Sequence, residues 1–215
     1  LLGIIALFIV ATPALNRIVE WNEAMHLPEA LYNIEQWMRQ QENAATKITE
    51  QILQVNSFSH FLAVIFGIGI LTGIGEEMIF RGVLQRIVQD KNHRAHVAVW
   101  ICAFLFSAIH LQFYGFIPRL LLGAFFGYLL VWSKNLWLPI FAHLFNNSTV
   151  ACISYFTNDK SPDNLIETVG TSGSPTSWLA GASLIGTVIL LYVLYKKVFF
   201  SKSKEFFPME DKITP

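Results

Sequence analysis

The sequence predicts an all-α, polytopic membrane protein, and three observations carry that prediction. Hydrophobic residues fill 53% of the 215 positions and charged residues 14%, with a mean hydropathy of +0.47, a balance that soluble domains of this size do not show. The apolar residues gather into runs long enough for about six membrane spans. The connections alternate in charge, so that basic loops fall on one side and acidic loops on the other. Formal net charge is zero, which gives a nucleic-acid partner no footing and makes the lipid bilayer the first partner. Cys102 and Cys152 each lie in an apolar run with no metal or redox spacing, and read as small buried hydrophobes.

Leu1 to Leu15 reads as the rest of an apolar membrane helix, with Pro13 near its end. A start at Leu inside an apolar run points to a truncated N-terminus, and no small-residue cleavage site marks a signal peptide. Asn16 to Asn56 is polar and acidic, but Trp21, Met25, Leu27, Leu31, Ile34, Trp37 and Met38 recur at roughly helical spacing, which predicts an amphipathic helix or helix pair on the membrane surface. The second span runs from Phe58 to about Gln89, longer than a bilayer needs, and is expected to be tilted or broken near Gly73 and Gly75. Val97 to Phe113 is the third span and carries His110. Phe116 to Trp132 is the fourth, its phenylalanines read as lipid contact or packing, with Gly123 and Gly127 spaced as a small-residue packing face. Leu136 to Phe156 is the fifth, with His143, Asn146 and Asn147, and Trp178 to Tyr195 is the sixth. The units expected are 1–56 (first helix and interfacial segment), 57–156 (membrane core), 157–200 (external loop and last helix) and 201–215 (cytoplasmic tail). The loop from Arg86 to Arg94, the Lys134 turn and the Lys196, Lys197, Lys202 and Lys204 tail form the basic side, placed in the cytoplasm.

Within this apolar background Gly75 to Gly82 holds Glu76, Glu77 and Arg81, directly after a run from Phe58 to Ile74 with no Asp, Glu, Lys or Arg. Ionisable groups at membrane depth are costly, which makes them functional-site candidates. Glu77 and Arg81 are four apart and share a helical face, so they can form an internal ion pair. Glu76 points about 100° away and lacks that partner, which leaves it available as a general base. His110, His143 and Asn147 are the polar groups expected to join them, at depths of roughly 12 to 21 Å from the basic loops. Phe106, four before His110, can wall the site and hold that imidazole. Two carboxylates, two imidazoles and an amide fit hydrolysis of an acyl bond, with a Glu or His drawing a proton from water and His143 and Asn147 donating to the oxyanion. They also fit a site for zinc or another divalent metal, with Glu76, His110 and His143 as ligands and a remaining Glu as base, although no His-Glu-x-x-His helix is present.

Glu76-Glu77-x-x-x-Arg81, Phe106-x-x-x-His110 and His143-x-x-x-Asn147, in this order and each in an apolar helix, resemble the CPBP family (CAAX prenyl protease and bacteriocin-processing). These are the intramembrane proteases also called Abi or type II CAAX endopeptidases, and the likeness covers about Leu71 to Val150. It implies an α-helical membrane core with a glutamate-activated water. By carry-over Glu76 resembles the base, His110 its assistant, Glu77 and Arg81 their support, and His143 with Asn147 the oxyanion pair. Both metal-dependent and metal-free mechanisms are associated with such proteins, and the residues leave both open. The implied substrate is a membrane-associated peptide or protein; short loops suggest a bacterial inner-membrane setting and nothing identifies a prenyl group. Two other classes stay open: a proton-coupled transporter, for which repeat symmetry and broken helices are missing, and a non-catalytic scaffold or bacteriocin immunity protein.

Overall fold

The computed structural model describes residues 1–92, 94–157 and 165–196. His93, the acidic stretch 158–164 and the tail from Lys197, including Lys202 and Lys204, lie outside the described residues.

The described chain is an all-α integral membrane fold. Helix α1 (Leu2–Glu23) is followed by a 3₁₀ turn, Glu29–Leu31, and by α2 (Tyr32–Leu53). The long helix α3 has five consecutive parts: Phe58–Val64, the π-helical Ile65–Thr72, Gly73–Glu77, the π-helical Met78–Leu84 and Gln85–Asn92. Then come α4 (Ala95–Ala108), a 3₁₀ turn at Phe113–Gly115, α5 (Phe116–Ser133), α6 (Trp137–Thr157), the short α7 (Leu165–Thr168) and α8 (Leu179–Val193). Leu2–Glu23, Phe58–Gln89, Phe113–Ser133 and Leu179–Lys196 are long and apolar enough to cross a membrane. Of the six expected spans, the third, Ala95–Ala108, is a shorter apolar helix, and the fifth, Trp137–Thr157, dilutes its 21 residues with His143, Asn146 and Asn147.

Three expectations change. The first helix does not stop at Leu15: it continues to Glu23 with Pro13 inside it. The polar residues of its last turns are accommodated because they tie down loops. Asn16 Nδ2 donates to the carbonyls of Ile166 and Val169, at 2.7 and 3.0 Å. Asn22 donates to Phe113 O at 3.1 Å and accepts from Ile117 N–H at 2.8 Å. Second, of the tilted or broken alternatives for α3, the break at Gly73 or Gly75 is absent; the two π-helical stretches flank the glutamates without interrupting the helix. Gly73 serves close approach instead, since a Cβ there would lie 3.2 Å from the backbone N of Leu144 on α6. Third, the helix bearing His110 ends at Ala108, and the chain turns through Leu111 at φ 53°, so His110 lies in the turn beyond it.

The Lys134 turn, Trp132 and Tyr195 cluster at one end, where the Trp132 and Tyr195 rings are 5.5 Å apart. At the other end α2 covers the turn after His110. Glu42 Oε2 accepts from Tyr114 N–H at 3.0 Å, Arg39 lies 4.3 Å over the Tyr114 ring, and Trp37 meets Phe113 at 5.4 Å. The start of α2 is tied by Glu35, whose carboxylate accepts from Leu27 N–H, Arg39 and His26. These bonds, the Leu27 N–H first, hold the Glu35 carboxyl down at about 2 from an ordinary 4.5. A depressed carboxylate stabilises above its unfolded value and loses that contribution as pH falls towards the folded one. The thermal midpoint of Glu35→Gln should therefore lie below wild type at pH 7, with the gap closing as pH drops below 4.5 towards 2. A gap that is constant with pH contradicts this.

Candidate active site

Helices α3, α5 and α6 build the site, with α4 walling it. On α3, Glu77, Arg81 and Gln85 follow at intervals of four and form one buried polar stripe, each with no exposed surface. Each finds a partner on a neighbouring helix. Arg81 Nη1 donates to Glu77 Oε1 at 2.9 Å and Nη2 to the carbonyl of Gly123 at 2.8 Å. Gln85 Nε2 donates to Gly127 O at 3.2 Å. The small residues of α5 make this possible: a Cβ at position 127 would sit 2.9 Å from Gln85 Oε1, and one at 123 would sit 3.2 Å from the Phe106 ring.

On the other flank α6 delivers His143, brought in by the close passage of Leu144 over Gly73. His143 Nδ1 lies 2.9 Å from the same Glu77 Oε1, and a carboxylate oxygen only accepts, so this nitrogen carries a proton. Its Nε2 is 3.7 Å from Glu76 Oε2. The imidazole is fixed between rings, stacked on Phe126 at 5.0 Å and met edge-on by Phe106 at 5.8 Å. Phe106 also lies 4.7 Å from the Arg81 guanidinium.

The two adjacent glutamates thus have different surroundings. Glu77 is fully buried and serves both Arg81 and His143 with one oxygen. Glu76 has a side chain 26% exposed and stands beyond hydrogen-bond distance from His143. His110 is half-buried; its Nδ1–H donates to Phe106 O at 2.7 Å, which leaves Nε2 as its acceptor, and its ring meets Phe106 at 5.2 Å. Asn147 is turned elsewhere, donating from Nδ2 to Ile68 O at 3.1 Å in the first π-helical stretch, while Asn146 donates to Asn147 Oδ1 at 3.3 Å. The structure brings Glu76, Glu77, Arg81 and His143 into one cluster and uses Asn147 to clamp α6 to α3.

The conditional metal set of Glu76, His110 and His143 is not gathered. Among the described residues no three His, Cys, Asp or Glu side chains converge on a point that an ion could occupy. His143 commits Nδ1 to Glu77, and His110 is held to its own helix end. These residues as arranged do not fit a metal centre.

Sequence reading missed Gln85, Phe126 and Arg119. Gln85 extends the Glu77 and Arg81 stripe by one turn and was legible from spacing. Phe126 stacks on His143, where the phenylalanines of this helix read as lipid contact or packing, and no sequence signal separates it from them. Arg119 is a cation inside the fourth span.

Compared with known proteins, residues 58–149 match the family described as type II CAAX prenyl endopeptidase, Rce1-like. An uncharacterized protein of Bacillus subtilis, YpbD, is 29% identical over 109 residues, which cover 49% of this chain and 51% of that relative. The chain thus spans about half the length of the curated relative it matches. No solved structure matches.

Proposed function

We propose that this chain, whose residues 58–149 match the family described as type II CAAX prenyl endopeptidase, Rce1-like, is an intramembrane endopeptidase that hydrolyses a peptide bond of a membrane-associated protein or peptide. The observation that carries the reading is the contrast between the glutamates: Glu77 is buried and hydrogen-bonded to Arg81 and His143, while Glu76 is partly exposed and stands 3.7 Å from His143 Nε2, in ion-pair range but beyond hydrogen-bond distance. A carboxylate at the exposed edge of a fixed polar cluster, with no hydrogen bond of its own there, is placed to take a proton from water.

In this mechanism Glu76 removes a proton from water as its oxygen bonds to the scissile carbonyl carbon. His110, with Nε2 free to accept, orients that water. The tetrahedral oxyanion collapses, the C–N bond breaks, and the proton held by Glu76 passes to the leaving nitrogen. For His143 to donate to the oxyanion through Nε2, the ring must carry protons on both nitrogens. In that form its charge and that of Arg81 balance the two carboxylates, so the cluster is neutral overall. Asn147 holds α6 against α3 through Ile68 O and so keeps His143 in place. The bacterial relative supports placing the chain in a bacterial cytoplasmic membrane, with the Lys134 end inside.

The test is cleavage of a labelled membrane peptide by the reconstituted chain, with and without a strong chelator. Cleavage at the same rate in both is expected. No cleavage under either condition contradicts the endopeptidase reading, and loss confined to the chelator contradicts the metal-free step.

A further inference from the structure

Helices α3 and α5 run in the same direction, and two hydrogen bonds fix their register. Arg81 to Gly123 O and Gln85 to Gly127 O have the same separation of 42 residues. Carried back one turn, that offset sets position 119 level with position 77, beside the glutamate pair. Arg119 occupies it, half-buried.

Its partners are neutral. Nη2 donates to Gln112 Oε1 at 2.7 Å and Nη1 to Gln112 O at 3.4 Å. Among the described residues no carboxylate forms an ion pair with Arg119. Glu42, whose charge reaches it, uses Oε2 for Tyr114 N–H. Arg81, four residues after Glu77, shows how this fold treats a structural arginine: it is fully buried and bonded to a carboxylate. Arg119 differs in both respects. A cation without an ion pair in an apolar span is costly, and a guanidinium with one edge held by a glutamine presents a ready fork for a planar anion.

We propose that Arg119 receives a carboxylate of the peptide substrate and so sets the scissile bond against Glu76. The proposal rests on the endopeptidase reading for the identity of the ligand. The carboxylate can come from a free C-terminus or from an Asp or Glu side chain near the bond; both offer the same two oxygens to the fork.

Binding separates this proposal from the activity. The probes are N-acylated fluorescent peptide pools, degenerate over their last four positions. One is made as the free acid, one as the C-terminal amide, and one as the amide with a fixed Asp before its end. Their affinities are measured by anisotropy against the full chain carrying Glu76→Gln, so that no turnover is needed. The acid pool or the Asp pool should bind about tenfold or more tighter than the plain amide, the scale of a charge-assisted hydrogen-bonded pair. The pool that does so identifies the source. Adding Arg119→Gln should bring the ratio towards one, and Arg119→Lys, which keeps the charge and loses the fork, should give an intermediate ratio. Either variant tests the claim if the other does not fold. Equal affinity for all three pools, or a preference that survives both substitutions, overturns the proposal. Binding with the expected preference but no cleavage by wild type leaves Arg119 as an anion site and removes the protease reading instead.

Discussion

Replacing Glu76 by glutamine should lower peptide hydrolysis by at least about two orders of magnitude, the usual scale for a positioned general base, while leaving the thermal midpoint nearly unchanged. The second half follows from its surroundings: the side chain is partly exposed and stands outside the hydrogen bonds of the buried cluster. Glu76→Ala should behave alike. His143→Ala should lose a comparable factor in rate, since an oxyanion donor is worth about the same, but also stability, because it removes the bond to Glu77 and the ring stacked on Phe126. Parallel rate and melting measurements on the three variants check this split. Wild-type rates in Glu76→Ala and His143→Ala sink the protease reading. A fall in rate alone with Glu77→Gln, beside an active Glu76→Gln, means the two glutamates exchange roles.

Arg81→Met should be the most destabilising single change in the site. It leaves Glu77 with no exposed surface and without its cationic partner, and breaking a buried pair in this way costs about 3–5 kcal/mol. It also removes the bond to Gly123 O that joins α3 to α5. Removing both charges is a different matter, since well-packed apolar replacements of a buried pair are often near neutral. The double variant Glu77→Leu with Arg81→Met should recover much of the lost midpoint and none of the activity, because His143 has then lost its acceptor. Denaturation midpoints in micelles check this. A double variant no more stable than Arg81→Met contradicts the view that the pair is structural.

The helical class, the long helix through Glu76 and the short polar motifs were legible in the sequence because hydropathy and a four-residue spacing are local signals. The internal pair of Glu77 and Arg81 followed from spacing alone, and its bond is present at 2.9 Å. What spacing could not give is which neighbour a side chain reaches across a helix interface. Asn147 has the spacing of a partner to His143, yet its amide meets Ile68 O, a contact offered by the first π-helical stretch. The continuation of α1 to Glu23 was hidden because Asn16, Glu20 and Asn22 look like loop residues until their partners at Ile166, Ser172 and Phe113 are known. His110 was assigned to a span because its helix is apolar to the end, and the turn at Leu111 has no glycine or proline to announce it. Arg119 was passed over within a long apolar run, although a lone cation there carries the same warning as the glutamates.

The claim at the centre of this account, that Glu76 activates a water to cleave a peptide bond in the membrane, is met most directly by weighing products. Reconstituted wild type and Glu76→Gln are incubated with the labelled peptide in ¹⁸O-water. The account predicts fragments from wild type with one ¹⁸O atom in the new C-terminal carboxylate, and intact peptide from Glu76→Gln. Intact peptide in both, or equal fragments from both, would contradict it.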